Sequence, residues 1–386
     1  MQARQFPEII AFIKSLYPGE TPVPLHAPRF IGNEKAYLND CIDTTFVSYV
    51  GAYVTRFEEM TREYTGVRRA VALVNGTAAL HMALLALGVG PDDEVITQPL
   101  TFVATCNAIR HVGAWPLFVD VEKAGLGLCP QALAEFLHGS CRKRADGGLE
   151  NKLTGRRIAV CMPMHTFGQL ALIDEICGLC AEFGLPVLED SAEALGSFEQ
   201  GRHAGTIGAA GVLSYNGNKP VTCGGGGMLI TADDEIAERV RHLSTTAKQP
   251  HPYLFNHDMV GYNLRLPNLN AAVGCAQMES FPAVLANKRE LAAIYAEFFK
   301  GLGIPCIEER QGTAANYWLN GIFANSREER DQFLQFAAES QVQARPAWTL
   351  MTELPMYRDC ARGPIPNASW LEERIISLPS SFRPKK

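Results

Sequence analysis

Short apolar runs alternate with amphipathic segments along the chain from about residue 56 onward. Runs of this length are typical of buried strands, and the segments between them repeat apolar residues at helical spacing. The alternation predicts an α/β layer structure with a mostly parallel sheet. We expect strands at residues 70–74, 94–97, 116–120, 158–162, 186–190, 212–214 and 228–231.

The loops that follow these strands are expected to meet in a single cleft. In open α/β sheets, ligands bind beyond the carboxyl ends of the strands. A helix predicted at residues 77–87, ending at Gly88, follows directly on the first strand. The loops that should converge are residues 75–77, 98–102, 164–168, 190–193 and 214–227.

The pattern of apolar and polar positions changes after about residue 275, where the predicted helices become longer. Longer helices are expected at residues 284–299 and 327–339, with strands near 317–323 and 343–346. This pattern predicts a second, smaller α+β domain.

The chain is therefore expected to divide into three parts. These are an N-terminal helical segment (1–24), a large domain (25–275) and a small C-terminal domain (276–386). Residues 139–157 are polar and charged without periodicity, so we expect an exposed excursion there, and residues 381–386 are expected to form a loose tail.

The overall charge gives no sign of a polyanionic partner. The 386 residues are 47% apolar and carry a formal net charge of −6, and no long run of Lys or Arg is present. We therefore expect neither nucleic acid nor a membrane surface as a partner, and an anionic ligand must be held locally. No apolar run approaches the roughly 18 residues of a membrane span, and the N-terminus lacks a secretory apolar region, so a cytoplasmic location is expected.

The cysteines indicate reduced core residues and not a disulfide framework. They number eleven, an odd count, and are scattered through apolar runs. Cys177 and Cys180 form a lone CxxC within LIDEICGLCAEFG, where apolar residues recur at helical spacing up to Gly184. We interpret this pair as part of a buried helix, and we expect no metal site.

Two residues, Lys219 and Asp190, could carry the central chemistry. Lys219 lies in the glycine-rich loop SYNGNKPVTCGGGGM after a strand, where it is either a surface turn lysine or an amine held in a cleft to attack an aldehyde cofactor. Asp190 ends the apolar strand LPVLED. It either caps a following helix or keeps the pyridine nitrogen of such a cofactor protonated.

A phosphate site is expected where the first strand leads into a helix. The backbone N–H groups and dipole at Asn75-Gly76-Thr77 favour a phosphate without basic side chains, and the hydroxyl of Ser214 could add a donor. Ala78 and Asn216 adjoin these positions, and we include both among the cofactor-binding candidates. Two further candidates have open alternatives: Phe102 is either core or cofactor stack, and His165 is either a ligand contact or a structural histidine.

Taken together, these segments resemble the fold type I PLP (pyridoxal 5′-phosphate) enzymes, and within them the sugar-nucleotide aminotransferases of the DegT/StrS type. The resemblance covers nearly the whole chain. It is carried, in the family's order and spacing, by FEEMTREYTG, NGTAALHMALLALGVGPDDEVI, TFVATCNAI, PMHTFGQ, EDSAEALGS, SYNGNKPVTCGGGGM, GYNLRLPNLNAAVG and ANYWLN. It implies an α/β fold with a mostly parallel seven-stranded sheet between helices and a smaller C-terminal α+β domain.

The resemblance also implies roles for individual residues. Lys219 matches the lysine that forms a Schiff base with PLP, and Asp190 matches the partner of the pyridinium nitrogen. Phe102 falls where the family stacks an aromatic ring on the cofactor. Asn263, in GYNLR, matches an asparagine that reaches the cofactor phosphate of the neighbouring subunit, which implies a homodimer with shared active sites. Gly76, Thr77 and Ser214 match the residues that bind the cofactor phosphate from the same subunit as the lysine.

Glu193 departs from the family pattern, which often has glutamine there. The position lies near the phenolic oxygen of the cofactor, and an ionised carboxylate would repel a phenolate. We keep Glu193 as a cofactor-site residue without an assigned role.

The resemblance implies a ping-pong transfer of an amino group from glutamate to C4 of a nucleotide-linked 4-keto-6-deoxy sugar. The expected substrate is a UDP- or GDP-linked N-acetylhexosamine derivative, used in amino-sugar and surface-polysaccharide biosynthesis. The segments NGNK, TTAKQPHPY and NEKAYLNDCIDTTFVS resemble the legionaminic-acid branch. Candidate substrate residues are His165, Lys248 and Tyr317.

Three other functions stay open at this point. A PLP-dependent sugar 3-dehydratase on the same scaffold is disfavoured, because that branch replaces the lysine by histidine and this chain keeps Lys219. A regulatory homologue that binds PLP or sugar without turnover is disfavoured by the intact Lys219, Asp190 and Ser214. An NAD-dependent oxidoreductase lacks its strand-GxGxxG-helix motif near the first strands.

Overall fold

The computed structural model describes residue 1 and residues 3–383. The helices are α1 (Phe6–Leu16), α2 (Glu34–Asp43), α3 (Ala52–Thr65), α4 (Gly76–Ala86), α5 (Val103–His111), α6 (Pro130–Ser140), α7 (Ile173–Glu182), α8 (Asp234–Ser244), α9 (Asn268–Gly301), α10 (Arg327–Glu339) and α11 (Pro366–Arg374). Short 3-10 helices lie at Ala3–Gln5, Thr166–Gly168, Met351–Glu353 and Pro355–Tyr357.

The strands are β1 (Arg69–Leu73), β2 (Glu94–Thr97), β3 (Trp115–Phe118), β4 (Cys141–Lys143), β5 (Leu149–Asn151), β6 (Arg157–Cys161), β7 (Leu188–Asp190), β8 (Phe198–Glu199), β9 (Arg202–His203), β10 (Ala210–Ser214), β11 (Gly227–Thr231), β12 (Thr313–Ala314), β13 (Asn320–Phe323), β14 (Arg345–Pro346) and β15 (Ile375–Leu378). All seven strands that the apolar runs predicted are present, and each end lies within two residues of the prediction.

These seven strands lie side by side in the order β3-β2-β6-β7-β10-β11-β1. The ladders are continuous within β3-β2-β6 and within β7-β10-β11-β1. Parallel bridges from Cys161 to Val187 and from Met164 to Asp190 join the two groups. Every neighbouring pair is parallel except the two that β11 makes with β10 and β1. The predicted α/β class with a mostly parallel sheet is confirmed.

The sheet buries apolar side chains on both faces, as a sheet covered by helices requires. One core cluster packs α4, α5 and α8 against it, with Leu80, Ile109 and Val240 fully or almost fully buried. On the other side, α3 and α9 contribute Phe57 and Phe281 to a second cluster. Because α4 is apolar around most of its surface, it packs deep in the fold with its first turn at the carboxyl end of β1.

Residues 139–157 form a largely exposed excursion between α6 and β6, as predicted, but they contain two strands that the pattern did not predict. Strands β4 and β5 form a hairpin there, and β5 pairs antiparallel with β6 at the edge of the sheet. Leu149 is buried against the sheet, and the Asn151 side chain donates a hydrogen bond to Glu94 Oε2 over 2.8 Å. Two three-residue strands are too short for their alternation to stand out from a polar segment.

Helix α9 is much longer than predicted. It has 34 residues and contains Pro282, which lies just before the predicted start at residue 284. Proline usually ends a helix, but here the flanking turns are held by packing against α2 and α3. The helix passes through the predicted domain boundary at 275/276, and the division into three parts remains a prediction.

The C-terminal elements form a smaller sheet with α1 packed against it. Strands β13 and β14 fall in the predicted regions, and both pair antiparallel with β15, which the pattern did not predict. Helix α1 buries Ile9 and Ile13 in the same core cluster as Tyr295 and Phe333. The N-terminal helical segment therefore packs on the C-terminal part of the chain.

Two further predictions concern local structure. The CxxC cysteines lie on α7, with Cys180 buried and Cys177 half-buried, so the helix prediction is confirmed. The predicted loose tail is wrong for residues 381–383: Ser381 is buried, and the Asn287 side chain donates to the Arg383 carbonyl over 2.7 Å. Residues 384–386 of that prediction lie outside the described residues.

Candidate active site

A cavity of about 380 Å³ opens at the carboxyl ends of the central strands. All five loops that were predicted to converge contribute to its wall, and the C-terminal part of the chain adds two tryptophans. The lining residues are Asn75, Gly76, Thr77, Leu80, Phe102, Ala104, Thr105, Met164, Asp190, Ala192, Glu193, Ser214, Asn216, Asn218, Lys219, Trp318 and Trp348.

Lys219 is a buried amine and not a surface turn lysine. Only 9% of it is exposed. Its backbone N–H closes a turn onto the Asn216 carbonyl over 3.0 Å, just after β10, which directs the side chain into the cavity. The Nζ atom lies 3.1 Å from Glu193 Oε1 and 3.6 Å from the centre of the Trp318 ring. The amine is thus held between a carboxylate and an aromatic face.

Asp190 presents a buried carboxylate to the same cavity. Thr105 Oγ1 donates to Asp190 Oδ2 over 2.7 Å, and the Ala192 N–H donates to Oδ1 over 3.2 Å. The capping alternative is wrong, because β8 and not a helix follows this strand. Burial raises the pKa of Asp190 above the ordinary value for a carboxyl, although both hydrogen bonds oppose the rise. A carboxylate so placed can hold a proton on a ring nitrogen next to it.

The start of α4 forms an anion-binding corner. Asn75 caps the helix by accepting the Ala78 N–H over 2.8 Å, while the N–H groups of Gly76 and Thr77 lie in the first turn, where a helix has no acceptor of its own. The Ala78 N–H is therefore already engaged. A Cβ atom at Gly76 would lie 3.1 Å from the Ser214 Cβ and 3.3 Å from its Oγ. These contacts are tighter than ordinary van der Waals distances, so a larger residue at this position would require Ser214 or the helix end to shift.

An aromatic wall closes one side of the cavity. Phe102, just before α5, is 49% exposed, so the core alternative for this residue is wrong. Its ring centre lies 6.1 Å from that of Trp348, which in turn lies 4.9 Å from the Phe167 ring. An exposed aromatic face next to the buried polar groups is a natural support for a planar ring.

Glu193 is the most perturbed carboxyl in the cavity. It is 2% exposed, and its Oε2 accepts the Phe167 N–H over 2.8 Å while Oε1 contacts Lys219. Burial raises the pKa of Glu193 to about 7, and the charge of Lys219 limits that rise. This carboxyl can therefore exchange a proton near neutral pH.

His165 lies outside the cavity. It is fully buried, and its Nε2 donates to Glu189 Oε2 over 2.9 Å because its Nδ1 already accepts the Ala171 N–H over 3.1 Å. Both ring nitrogens are used within the core, which favours the structural alternative.

Three other predicted residues also lie away from the cavity wall. The Lys248 Nζ lies 4.0 Å from the centre of the Phe255 ring, and the Tyr317 hydroxyl accepts the Glu309 N–H over 3.4 Å. Asn263 is exposed and pairs through its backbone with Thr245. Because Asn263 is exposed, its side chain could reach a neighbouring subunit.

The sequence reasoning missed several lining residues. Thr105 carried a usable signal, since it follows Phe102 by three positions at a helix start and so shares its face. Trp318 is the neighbour of Tyr317, and it lines the cavity in place of that predicted residue. Asn218 lies in the predicted cavity loop 214–227 but had no feature that marked it out, and Trp348 carried no signal because its loop is positioned by the tertiary fold.

Comparison with known proteins identifies the family. The model of the DegT/DnrJ/EryC1/StrS aminotransferase family matches residues 29–384. The chain belongs to this family. The chain is 35% identical to the GDP-perosamine synthase of Vibrio cholerae over 361 residues, which cover 93% of this chain and 94% of that protein. The corresponding values for the GDP-perosamine synthase of Escherichia coli O157:H7 are 34% over 359 residues, with 93% of each chain covered.

A solved structure supports the same assignment. The structure of DesI, determined in the presence of its TDP-sugar product, matches with a TM-score of 0.80 and 26% identity, covering 95% of this chain and 91% of that one. The chain is therefore a PLP-dependent aminotransferase of the DegT/DnrJ/EryC1/StrS family, and the predicted family, enzyme class and cofactor are confirmed.

The cavity residues fit PLP at each of its functional groups. The close approach of Gly76 to Ser214 leaves a donor-lined corner for a phosphate. Asp190 offers a buried acceptor for a ring nitrogen, and the exposed face of Phe102 suits the ring itself. Among the described residues, Lys219 is the one lysine that lines the cavity, and its amine could attack the aldehyde carbon of PLP.

No helix in residues 1 and 3–383 is both long enough and apolar enough to span a membrane.

Proposed function

We propose that this chain transfers an amino group from glutamate to C4 of a nucleotide-linked 4-keto-6-deoxy sugar. The observation that carries the proposal is that Lys219, Asp190 and the first turn of α4 line one cavity. These three features supply a covalent attachment point, a proton-holding carboxylate and a phosphate site. Glutamate leaves as 2-oxoglutarate, and the sugar carbonyl becomes an amine, so no other reactant is required.

Each cofactor contact is assigned to a residue of the cavity. Gly76, Thr77 and Ser214 would hold the phosphate, with Ala78 and Asn216 next to them, and Phe102 would stack on the ring. When bound, PLP acts as the electron sink that lets the bonds at the carbon bearing the amine be broken and remade. The remaining work falls to the side chains of the chain itself.

Lys219 has two tasks in this proposal. It would hold the cofactor covalently at rest, and its amine, once free, would take and return the proton at the carbon that bears the amino group. Asp190 would hold a proton on the ring nitrogen through both half-reactions, and its bonds from Thr105 and Ala192 keep it in place.

Glu193 acts as the proton partner of Lys219. Its carboxyl lies in contact with the lysine amine, and its pKa of about 7 allows it to be neutral in part of the population. In the neutral form it donates a hydrogen bond, as a glutamine at this position would, and so it avoids repelling the phenolic oxygen of the cofactor.

A nucleotide-linked sugar as the acceptor is supported by the relatives. Two of them are named GDP-perosamine synthase, and the structure of DesI was determined in the presence of its TDP-sugar product. The choice of C4, of an N-acetylated hexosamine and of the legionaminic-acid branch rests on the motifs NGNK and TTAKQPHPY. Trp348, half-buried at the mouth of the cavity, is well placed to contact the sugar.

We also propose that the enzyme is a homodimer in which Asn263 completes the active site of the neighbouring subunit. Two segments expose large apolar side chains: Phe46 and Val50 are 56% and 65% exposed, and Tyr253 and Phe255 are 78% and 77% exposed. Apolar groups concentrated in this way usually mark an interface. The first segment is tied to the start of α9 by the Asn268 N–H, which donates to the Ser48 carbonyl over 3.1 Å.

The proposed activity is tested with purified protein, PLP and glutamate. GDP-, UDP- and TDP-linked 4-keto-6-deoxy sugars, with and without an N-acetyl group at C2, are offered in turn, and 2-oxoglutarate and the amino sugar are measured. Formation of both in equal amounts with one of these sugars supports the proposal. The Lys219→Ala variant is the matched control and should form neither.

Two other outcomes would replace the proposal. Loss of the C3 hydroxyl with the C4 carbonyl retained, and with glutamate released as 2-oxoglutarate and ammonia but no amino sugar formed, would identify a 3-dehydratase. Binding of PLP or sugar without turnover of any of the offered sugars would identify a regulatory protein.

A further inference from the structure

A cluster of three charged residues, of which Glu58 and Arg265 are buried and Arg241 is exposed, lies outside the cavity. Glu58, on α3, accepts hydrogen bonds from two arginines. Arg265 Nη2 donates to Glu58 Oε1 over 2.7 Å, and Arg241 Nη2 donates to Glu58 Oε2 over 2.9 Å. Glu58 is 8% exposed and Arg265 6%. The Glu58 Oε1 also accepts the Ala72 N–H over 2.8 Å. One carboxylate thus connects α3, α8, β1 and the segment that contains Arg265.

That segment, residues 262–266, is held along both of its edges. On one edge, the N–H groups of Tyr262 and Leu264 donate to the carbonyls of Leu243 and Ser244 over 2.7 and 3.0 Å. On the other, the Val74 N–H donates to the Leu264 carbonyl over 3.0 Å. The Asn263 side chain remains exposed between these anchored neighbours. Its backbone position is fixed although its side chain is free.

We propose that Glu58 is a positioning residue for Asn263, and that it acts on the active site of the neighbouring subunit. The inference rests on the proposed homodimer with a shared site. Removing the Glu58 charge would leave Arg265 as a buried cation without its partner, and such a cation moves toward water. Arg265 directly follows Leu264, so this movement strains the hydrogen bonds that fix the backbone at Asn263 and shifts the side chain that would contact the cofactor phosphate in the partner's site.

The rival is an effect within the same subunit. Glu58 also contacts β1 through the Ala72 N–H, and β1 leads into the phosphate corner at Gly76. Loss of Glu58 could therefore disturb the subunit's own active site. The two alternatives differ in which of the two sites of a dimer is damaged.

Mixed dimers distinguish these alternatives. Subunits carrying Glu58→Gln and Lys219→Ala are produced together with different affinity tags, and the doubly tagged dimer is isolated. In this mixed dimer, one active site combines Lys219 of the Glu58→Gln subunit with Asn263 of the Lys219→Ala subunit, in which Glu58 is intact. The homodimer of Glu58→Gln should bind PLP roughly tenfold more weakly, measured by titration, whereas the mixed dimer should regain about half of the wild-type activity because one of its two sites is complete.

The controls separate this inference from the proposal on which it depends. A mixed dimer of Asn263→Ala and Lys219→Ala must also regain activity if sites are shared, and failure there overturns both. Recovery with Asn263→Ala but not with Glu58→Gln overturns only the inference, as does a Glu58→Gln homodimer with normal PLP affinity. Glu59→Gln, the same change at an exposed position of α3, should leave PLP affinity and activity unchanged. Recovery in the mixed dimer cannot come from a misfolded subunit, because the Glu58→Gln chain supplies the working lysine.

Discussion

The Nζ atom of Lys219 lies 3.1 Å from Oε1 of Glu193, and both side chains are buried. Burial raises the pKa of Glu193 to about 7, so this carboxyl can take up or release a proton near neutral pH while it contacts the lysine amine. The contact therefore places a group that can both accept and donate a proton beside Lys219.

Glu193→Gln should change how stability depends on pH. The folded protein keeps a proton on Glu193 up to about pH 7, whereas the unfolded chain loses it near its ordinary pKa of 4.5. The proton therefore favours folding at low pH, and this contribution is lost as pH rises from roughly 4.5 to 7. Glutamine cannot titrate, so the melting temperature of the variant should fall less over this interval.

The measurement is thermal unfolding of wild type, Glu193→Gln and Glu182→Gln from about pH 5 to about pH 8. Glu182 is exposed on α7, so its variant should follow the wild type. Parallel curves for wild type and Glu193→Gln would contradict the assigned titration.

Asp190→Asn should lower kcat by about 100- to 1000-fold while PLP still binds. The amide has nearly the same shape but cannot hold a proton on the ring nitrogen. Thr105→Val is the graded comparison: it keeps the carboxylate but removes the 2.7 Å bond that Thr105 donates to Asp190, together with the 2.7 Å contact between the Thr105 and Thr101 hydroxyls, and should lower kcat roughly tenfold. Steady-state kinetics at saturating PLP measure both, and an Asp190→Asn enzyme with near-normal kcat would rule out this role.

Gly76→Ala should weaken PLP binding by about tenfold or more. The added methyl group would lie 3.1 Å from the Ser214 Cβ and would push the helix end away from the hydroxyl. Gly178→Ala is the matched control, because nothing lies within 4 Å of a Cβ at that helical position. It should leave PLP binding unchanged and stabilise the fold by about 0.5–1 kcal/mol. Equal PLP affinities for the two variants, measured by titration, would remove Gly76 from the phosphate site.

Lys288→Met should destabilise the fold by about 2–4 kcal/mol. Lys288 is fully buried, and its Nζ donates to the carbonyls of Trp318 and Ser380 over 3.1 and 2.7 Å. Methionine fills the space but leaves both carbonyls unpaired. Lys300→Met, at an exposed position of the same helix, should have little effect in denaturant unfolding. A Lys288→Met protein as stable as Lys300→Met would show that these bonds contribute nothing.

The sheet and the cavity loops could be predicted because their signals are local. Buried parallel strands appear as continuous apolar runs, and the first turn of α4 follows its strand without a gap. Once these elements were placed, the rule for the carboxyl ends of strands brought Lys219 and Asp190 together. Their chemical roles came from the order and spacing of motifs, since each residue alone had an equally ordinary alternative.

The remaining features depend on contacts between distant parts of the chain. Helix α9 continues through Pro282 because α2 and α3 pack against it, and β15 is recognised as a strand only beside its partners. His165 looked like a ligand contact because its motif follows a strand, yet its partner Glu189 turns it into the core. The two tryptophans of the cavity come from loops whose sequence says nothing about where they fold.

The most direct test of the account is the visible absorption spectrum of the purified protein with PLP, before and after addition of glutamate. We expect the wild type to show the yellow band of the lysine-bound cofactor and to lose it when glutamate donates its amino group. Lys219→Ala should not form the normal band, whereas Lys300→Ala should behave as the wild type. A band that is absent, or that responds neither to glutamate nor to the loss of Lys219, would contradict the assignment of Lys219 as the residue that carries the cofactor.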